Sequence, residues 1–277
     1  MPAALPYRIM KKIILLLGLL CVFCVLLTAC GEDEEDDYEW IDHLQTTTKA
    51  PTLTPTTALS PTPTEVPRKP YILCLDPGHG GRWTGAIYYG VEERTVVLQL
   101  AKEIRAYLNE HYPDIEVYLT RETNECFSDD LGTDLRKRVE YGKEMGAQIL
   151  VSLHLNASDA HNLRGTMVCI SKQPNINGIS KELANTLMDA TEALGLRRRG
   201  YETRNSGDTF DENGVPVDYY AICRHGASLG IPAVILESCF MDNEKDFAFV
   251  KDDAAIKKLA AAEAEAMAKF LISHYSK

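Results

Sequence analysis

Residues 71–277 predict an α/β protein, with a single open, mostly parallel sheet flanked by helices on both faces. Short, almost wholly apolar runs alternate with amphipathic runs of helical period, the pattern of a parallel sheet buried on both sides. The segment is long enough for one sizeable core. No internal repeat divides it.

The elements follow in order. "YILCLD" (71–76) reads as a buried strand. "EERTVVLQLAKEIRAYLNE" sets Val97, Leu100, Ile104 and Leu108 at helical spacing behind acids that suit a helix start. "IEVYLTR" is a strand, and "DLRKRVEYGKEMG" a helix ended by Gly146. "QILVSLHLNA" is an apolar strand closed by polar residues. "GTMVCIS" is a further strand and "NGISKELANTLMDATEALG" a further helix. "RRRGYETRNSGDTFDENGVPVD" (197–218) is polar and Gly-rich, which predicts a long loop with one short strand, its Arg197–Arg199 run a solvated helix end. "IPAVILES" is the last strand and "AAIKKLAAAEAEAMAKFLISHY" the closing helix.

The amino-terminal region has a different composition. A basic stretch (Arg8, Lys11, Lys12) precedes an apolar run from Ile13 to about Leu27, and Leu27-Thr28-Ala29-Cys30 closes it with small residues before a cysteine. That is secretory-signal organisation. The apolar run is nearly long enough for a transmembrane helix, but the small residues stand where cleavage needs them. The "LTAC" ending resembles a bacterial lipobox, which implies a lipoprotein signal peptide over 1–29 and lipidation of Cys30. Residues 30–70 follow as an acidic block and Thr/Pro repeats that bury too little surface to order themselves, and so read as a disordered tether. Extended at about 3 Å per residue, it reaches on the order of 100 Å. The expectation is an extracytoplasmic protein, lipid-anchored to the cell membrane.

The formal net charge is −11, and becomes −14 once Arg8, Lys11 and Lys12 leave with the signal. Such a balance argues against a nucleic-acid partner, which needs a basic footprint. Beyond the signal stand Cys74, Cys126, Cys169, Cys223 and Cys239, an odd number without a CxxC pair, so neither a disulfide framework nor a cysteine–zinc site is indicated.

The chemistry collects at strand ends. "YILCL" runs into "DPGHGG", whose glycines suit any tight turn, but no Lys-Ser/Thr follows to make a phosphate loop. His79 ends this strand, His154 stands in "ILVSLHLNA" and Glu237 in "PAVILES". In an open α/β sheet, ligands bind beyond the carboxyl ends of the strands. If these strands are parallel and adjacent, the three side chains share one rim, to which Glu92 and Glu93 at the first helix start also return. A glutamate in an apolar strand is costly unless paired or metal-bound. Two histidines and a carboxylate with one open position make a catalytic zinc set. A histidine at a strand end is also a common structural residue, and spacing alone leaves both readings open.

"LDPGHGG", "GVEERTVVLQLA", "VYLTR", "LVSLHLNAS", "RGTMV" and "IPAVILESCFMDNEKD", in this order over residues 71–277, resemble the zinc-dependent N-acetylmuramoyl-L-alanine amidases of bacterial cell walls. The resemblance implies Zn2+ as cofactor, with His79, Glu93 and His154 as metal ligands; Ala101, eight residues on, selects Glu93 over Glu92. It implies Glu237 as the catalytic residue and peptidoglycan as the partner, cut between the lactyl group of N-acetylmuramic acid and L-alanine. Asn156 is a candidate substrate-binding residue, with a strand-end cap as its plain alternative. Arg121 and Arg138 resemble family positions and are expected to hold the fold by ion pairing. Gly142-Lys143 and Ser238-Cys239-Phe240 depart from the family's usual Ala-Asn and Gly-Phe. A metal-free wall-binding lipoprotein would have lost a ligand or the catalytic glutamate, and all four are present. A zinc peptidase acting within the stem peptide is separated from an amidase by the resemblance alone.

Overall fold

The computed structural model describes residues 70–276, apart from Asn213. The expected signal peptide, Cys30 and the tether up to residue 69 lie outside the described residues. In chain order the first elements are β1 (Tyr71–Pro77), β2 (Ile87–Tyr88), β3 (Val91–Glu92), α1 (Glu93–His111), β4 (Ile115–Leu119), α2 (Leu131–Glu144) and β5 (Ile149–Asn156). Then come β6 (Thr166–Cys169), α3 (Pro174–Ala193), β7 (Arg198–Glu202), β8 (Asn205–Phe210), β9 (Pro216–Asp218), α4 (Ala221–Leu229), β10 (Ala233–Phe240), α5 (Glu244–Phe247) and α6 (Asp253–Tyr275).

Six strands form the main sheet in the order β4-β1-β5-β10-β6-β7. β4, β1, β5 and β10 are mutually parallel, β6 runs antiparallel to β10, and β7 is parallel to β6. The three strands that end in His79, His154 and Glu237 are therefore adjacent and parallel, and their carboxyl ends form one rim.

Side chains alternate across the strands, and the two faces carry different loads. Leu73, Leu75, Val151, Leu153, Val234 and Leu236 join α1, α3 and α6 in the large apolar core. The opposite face holds a small cluster in which Cys74, Leu150 and Ala233 meet Val139 of α2 and Ile222 of α4. Further along this second face the same strands change from apolar to polar: Asp76 after Cys74, Ser152 and His154 after Leu150, and Glu237 after Ala233 and Ile235. Helix starts are fixed locally: Asp130 accepts from the Thr133 N–H at 2.8 Å to cap α2, and Asp252 accepts from the Ala255 N–H at 2.9 Å to cap α6.

Residues 197–218 differ from the expected loop. Arg198 and Arg199 open β7 instead of ending a helix, and Asn205–Phe210 and Pro216–Asp218 form a two-stranded sheet. β7 is an edge strand whose pairing with β6 orders a polar sequence that carries no apolar alternation. α4 and α5 were also not expected. α4 buries Ile222, Cys223, Gly226 and Ala227, a helical repeat too short to stand out.

Candidate metal centre and active site

β1 delivers the chain into Asp76-Pro77-Gly78-His79, and a buried polar network fixes that turn. The Asp76 carboxylate accepts from Thr120 Oγ1 and Ser152 Oγ, both at 2.6 Å, and from Arg138 Nη1 at 2.9 Å. Burial alone would push this carboxyl up, but Arg138 and the two hydroxyls hold it below the usual carboxylate range. Arg138 also bonds Asp134 at 2.7 Å and donates to the His79 carbonyl at 2.6 Å. Arg121 departs from the ion pairing expected of it. Its guanidinium donates to the carbonyls of Pro77, Gly78, Arg94 and Thr123 at 2.7–2.9 Å, and desolvation lowers its pKa to about 10. The turn's carbonyls are thus satisfied by two arginines from the β4–α2 side.

The turn serves both its glycines and its histidine. His79 lies in the left-handed region at φ 63°, held there by the bonds to its neighbours' carbonyls. A Cβ on Gly78 would stand 2.3 Å from the imidazole of His154, and one on Gly85 would stand 2.5 Å from Glu93 Oε2. Glycine at these positions leaves the space in which His79, Glu93 and His154 meet.

That meeting is close. Glu93 Oε1 lies 2.9 Å from His79 Nε2 and 3.2 Å from His154 Nδ1, with the two rings edge to face at 4.7 Å. The three donor atoms fall within 4.8 Å of one another, the one such group of His, Cys, Asp and Glu among the described residues. Glu93 is oriented by the Leu155 N–H on Oε1 and the Ala86 N–H on Oε2, both at 2.9 Å. Burial opposes its charge, yet the imidazoles of His154 and His79 hold the carboxyl far below its ordinary range. Burial likewise disfavours charge on His154, and the facing carboxylates, Glu93 foremost, outweigh it and push the imidazole up. His79 Nε2 is buried beside Glu93 Oε1 without forming a hydrogen bond. Ring nitrogen and carboxylate oxygen face each other as two donors to a common point do. Two imidazoles and one carboxylate are a donor set that fits a divalent metal. Glu92, the alternative carboxylate, instead turns outward to Arg94 at 2.6 Å.

Glu237 sits one strand over, its Cα in register with that of His154 across the β5–β10 ladder. Burial raises its pKa to about 7; His154 opposes the rise, while Glu93 and Glu202 add to it. Its Oε2 has no hydrogen-bond partner among the described residues. A cavity of about 280 Å³ opens beside the cluster, lined by His79, His154, Trp83, Leu131, Leu135 and Arg138. Asn156 Oδ1 accepts from the Ala157 N–H at 2.8 Å, which caps the end of β5. The metal-type cluster and Glu237 are thus brought together, Asn156 stands at the edge, and Cys30 lies outside the described residues. Sequence reading passed over Asp76, whose position inside "LDPGHGG" was its only signal, and the carbonyl-binding role of Arg121.

Fold and site define an α/β protein with a three-donor centre of metal-binding kind at the carboxyl ends of its central parallel strands. The family model described as N-acetylmuramoyl-L-alanine amidase matches residues 73–269, and the chain belongs to that family. An endolysin of Bacillus phage SPP1 is 26% identical over 202 residues, covering 72% of this chain and 66% of the phage protein. The N-acetylmuramoyl-L-alanine amidase CwlM of Bacillus licheniformis is 26% identical over 196 residues, covering 70% of this chain and 66% of CwlM. The chain therefore spans just under two thirds of the length of these relatives. The crystal structure of an N-acetylmuramoyl-L-alanine amidase from Clostridium difficile 630 shares the fold with a TM-score of 0.60 and 23% identity, over 75% of this chain and all of that one.

Proposed function

We propose that the chain is a zinc-dependent amidase that hydrolyses peptidoglycan between the lactyl group of N-acetylmuramic acid and L-alanine. The observation that carries this reading is a buried carboxyl, Glu237, without a partner on its Oε2 among the described residues and in register beside a His–Glu–His cluster, in a chain of this family. His79, Glu93 and His154 would hold the ion. Zinc bound by such a set supplies Lewis-acid polarisation of a carbonyl and lowers the pKa of water to about 7.

The remaining work belongs to the chain. Glu237, buried beside the cluster with Oε2 free of any partner among the described residues, is suited to accept the proton of the attacking water and return it to the departing alanine amine. The Asp76–Arg138–Arg121 network holds the turn that carries His79. Gly78 and Gly85 keep side chains out of the cluster. Trp83, Leu131 and Leu135 give the cavity beside His79 and His154 an apolar wall.

Digestion of purified peptidoglycan followed by mass analysis of the products tests the reading. Free stem peptides beginning at L-alanine are expected, and products cut within the stem would replace the amidase by a peptidase. Glu237→Gln keeps size and hydrogen bonding but removes the base. It should retain the metal and release stem peptide about 10²–10⁴-fold more slowly.

The same reading puts the domain outside the cell membrane, anchored through a lipid on Cys30 and a tether over 30–70. What supports it is the "LTAC" ending after a basic and apolar leader, and a Thr/Pro-rich composition long enough to reach a wall layer.

A further inference from the structure

A second polar constellation stands on the catalytic rim and takes no part in the chemistry above. His161 lies in the loop that follows β5, and its side chain is 55% exposed. Its Nδ1 meets Asp242 Oδ2 at 3.0 Å, and that carboxylate is fully buried. Ser158 Oγ donates to the same oxygen at 3.3 Å, while Asp242 Oδ1 is buried without a partner. Asn243 Nδ2 donates to the His161 carbonyl at 3.3 Å, and the Met241 N–H to the Asn156 carbonyl at 2.8 Å, so the loop is tied to the end of β10. His161 is also held in the left-handed region at φ 53°.

Two costs are being met here. A buried carboxylate is expensive, and positive φ is strained for a residue with a Cβ. Both fix the orientation of one exposed imidazole. With Nδ1 committed to Asp242, Nε2 is the ring's free hydrogen-bonding atom.

Its neighbours are aromatic. Tyr88 packs edge to face on His161 at 5.7 Å, and Tyr89 leans on Phe247 at 4.4 Å while remaining 55% exposed. Both tyrosines belong to the β2–β3 hairpin, which runs directly into the cluster residue Glu93. His161 follows the other side of the cluster, along the chain from His154. Ala86, two residues before Tyr88, donates its N–H to Glu93 Oε2 at 2.9 Å, so the imidazole and the tyrosines border the cluster along the rim, on the side from which α1 starts. An aromatic face matches the apolar C–H face of a pyranose ring, and a fixed hydrogen-bonding atom beside it matches the polar substituents at the ring's edge.

We propose that His161, oriented by Asp242 and flanked by Tyr88 and Tyr89, is a specificity residue that contacts the sugar of the muramoyl substrate. The proposal deepens the amidase reading and rests on it for the identity of the sugar.

The test is a calorimetric titration of the full, metal-loaded chain in detergent, carrying Glu237→Gln so that the probe is not consumed. Two probes are compared: N-acetylmuramoyl-L-alanyl-D-isoglutamine, and D-lactoyl-L-alanyl-D-isoglutamine, which lacks the sugar ring. His161→Phe should weaken the muramoyl probe by about two- to tenfold, the range of one lost neutral hydrogen bond, and leave the lactoyl probe unchanged. Tyr89→Ala leaves the Asp242–His161 carboxylate–imidazole pair in place, removing the exposed ring and its 3.5 Å hydrogen bond to the Asp242 carbonyl, and should show the same probe-selective loss with circular dichroism that stays native. It decides the matter if His161→Phe fails to fold. Equal losses on both probes would make the contact one with the peptide, and no loss on either would make His161 a structural latch. Each overturns the proposal. Stem-peptide release is measured separately on the chain that retains Glu237, so a failure there removes the amidase reading without being confused with a failure of the sugar contact.

Discussion

Glu263 of α6 is fully buried behind the strand that carries Glu237, and its replacement by Gln should change stability in a pH-dependent way. Its Oε1 accepts from Ser238 Oγ at 2.7 Å, and its Oε2 has no partner among the described residues. Burial raises its pKa to about 8, with the Ser238 hydrogen bond opposing the rise, from an ordinary value of 4.5. A carboxyl whose pKa is raised on folding contributes fully below its unfolded value, and that contribution is lost as pH climbs to the folded one. Between pH 4.5 and pH 8 the wild-type protein should therefore lose roughly 4–5 kcal/mol that Glu263→Gln does not lose. This is an upper figure, reached if the fold does not relax around the charge. For a domain of this size about 4 kcal/mol corresponds to a melting-temperature difference on the order of 10 °C. Urea or thermal unfolding of both proteins at pH 5, 7 and 8.5 measures it, because every other titrating group cancels in the comparison. A difference that stays constant within about 0.5 kcal/mol over that range, the usual accuracy of such comparisons, would mean that Glu263 titrates in the fold as it does in the unfolded chain, and overturns the prediction.

Three further outcomes are expected. Gly78→Ala places a methyl 2.3 Å from the His154 ring, so metal affinity should fall about 10–100-fold while circular dichroism stays native; unchanged affinity in a metal titration would mean the ring has room to move. His154→Ala removes one of three donors, and metal analysis of the purified protein should find the site largely empty; full metal content would take His154 out of the donor set. Cys30→Ala should release the protein from membranes or leave its leader uncleaved, and membrane fractionation with amino-terminal analysis showing no change would remove the lipidation reading.

The central strands were legible because burial on both faces demands unbroken apolar runs, and β1, β5 and β10 have them. Their polar last residues were conspicuous for the same reason: His154 and Glu237 interrupt sequences that otherwise read as pure core. Glu93 was different. Spacing could not separate it from Glu92, and only the family resemblance did. The fold separates the two by sending one carboxylate inward between His79 and His154 and the other outward to Arg94. β7 and the β8–β9 pair were illegible because backbone pairing, not side-chain pattern, orders them. The same is true of pairs made across long stretches of chain. Asp76 with Arg138 and His161 with Asp242 exist only once the sheet has set its strand order.

The unequal faces of the sheet have a consequence for how such a protein can change. Nearly all of the apolar mass lies with α1, α3 and α6, while the side bearing the polar strand ends rests on a small cluster under α2 and α4. The sheet acts as a partition between what must be conserved in volume and what need not be. Residues of the thin side such as Leu131 and Leu135 border the cavity beside the cluster and can be exchanged for larger or smaller ones without opening a void in the main core. The shape of that cavity can therefore drift through substitutions on α2 while the opposite wall of the molecule keeps it folded.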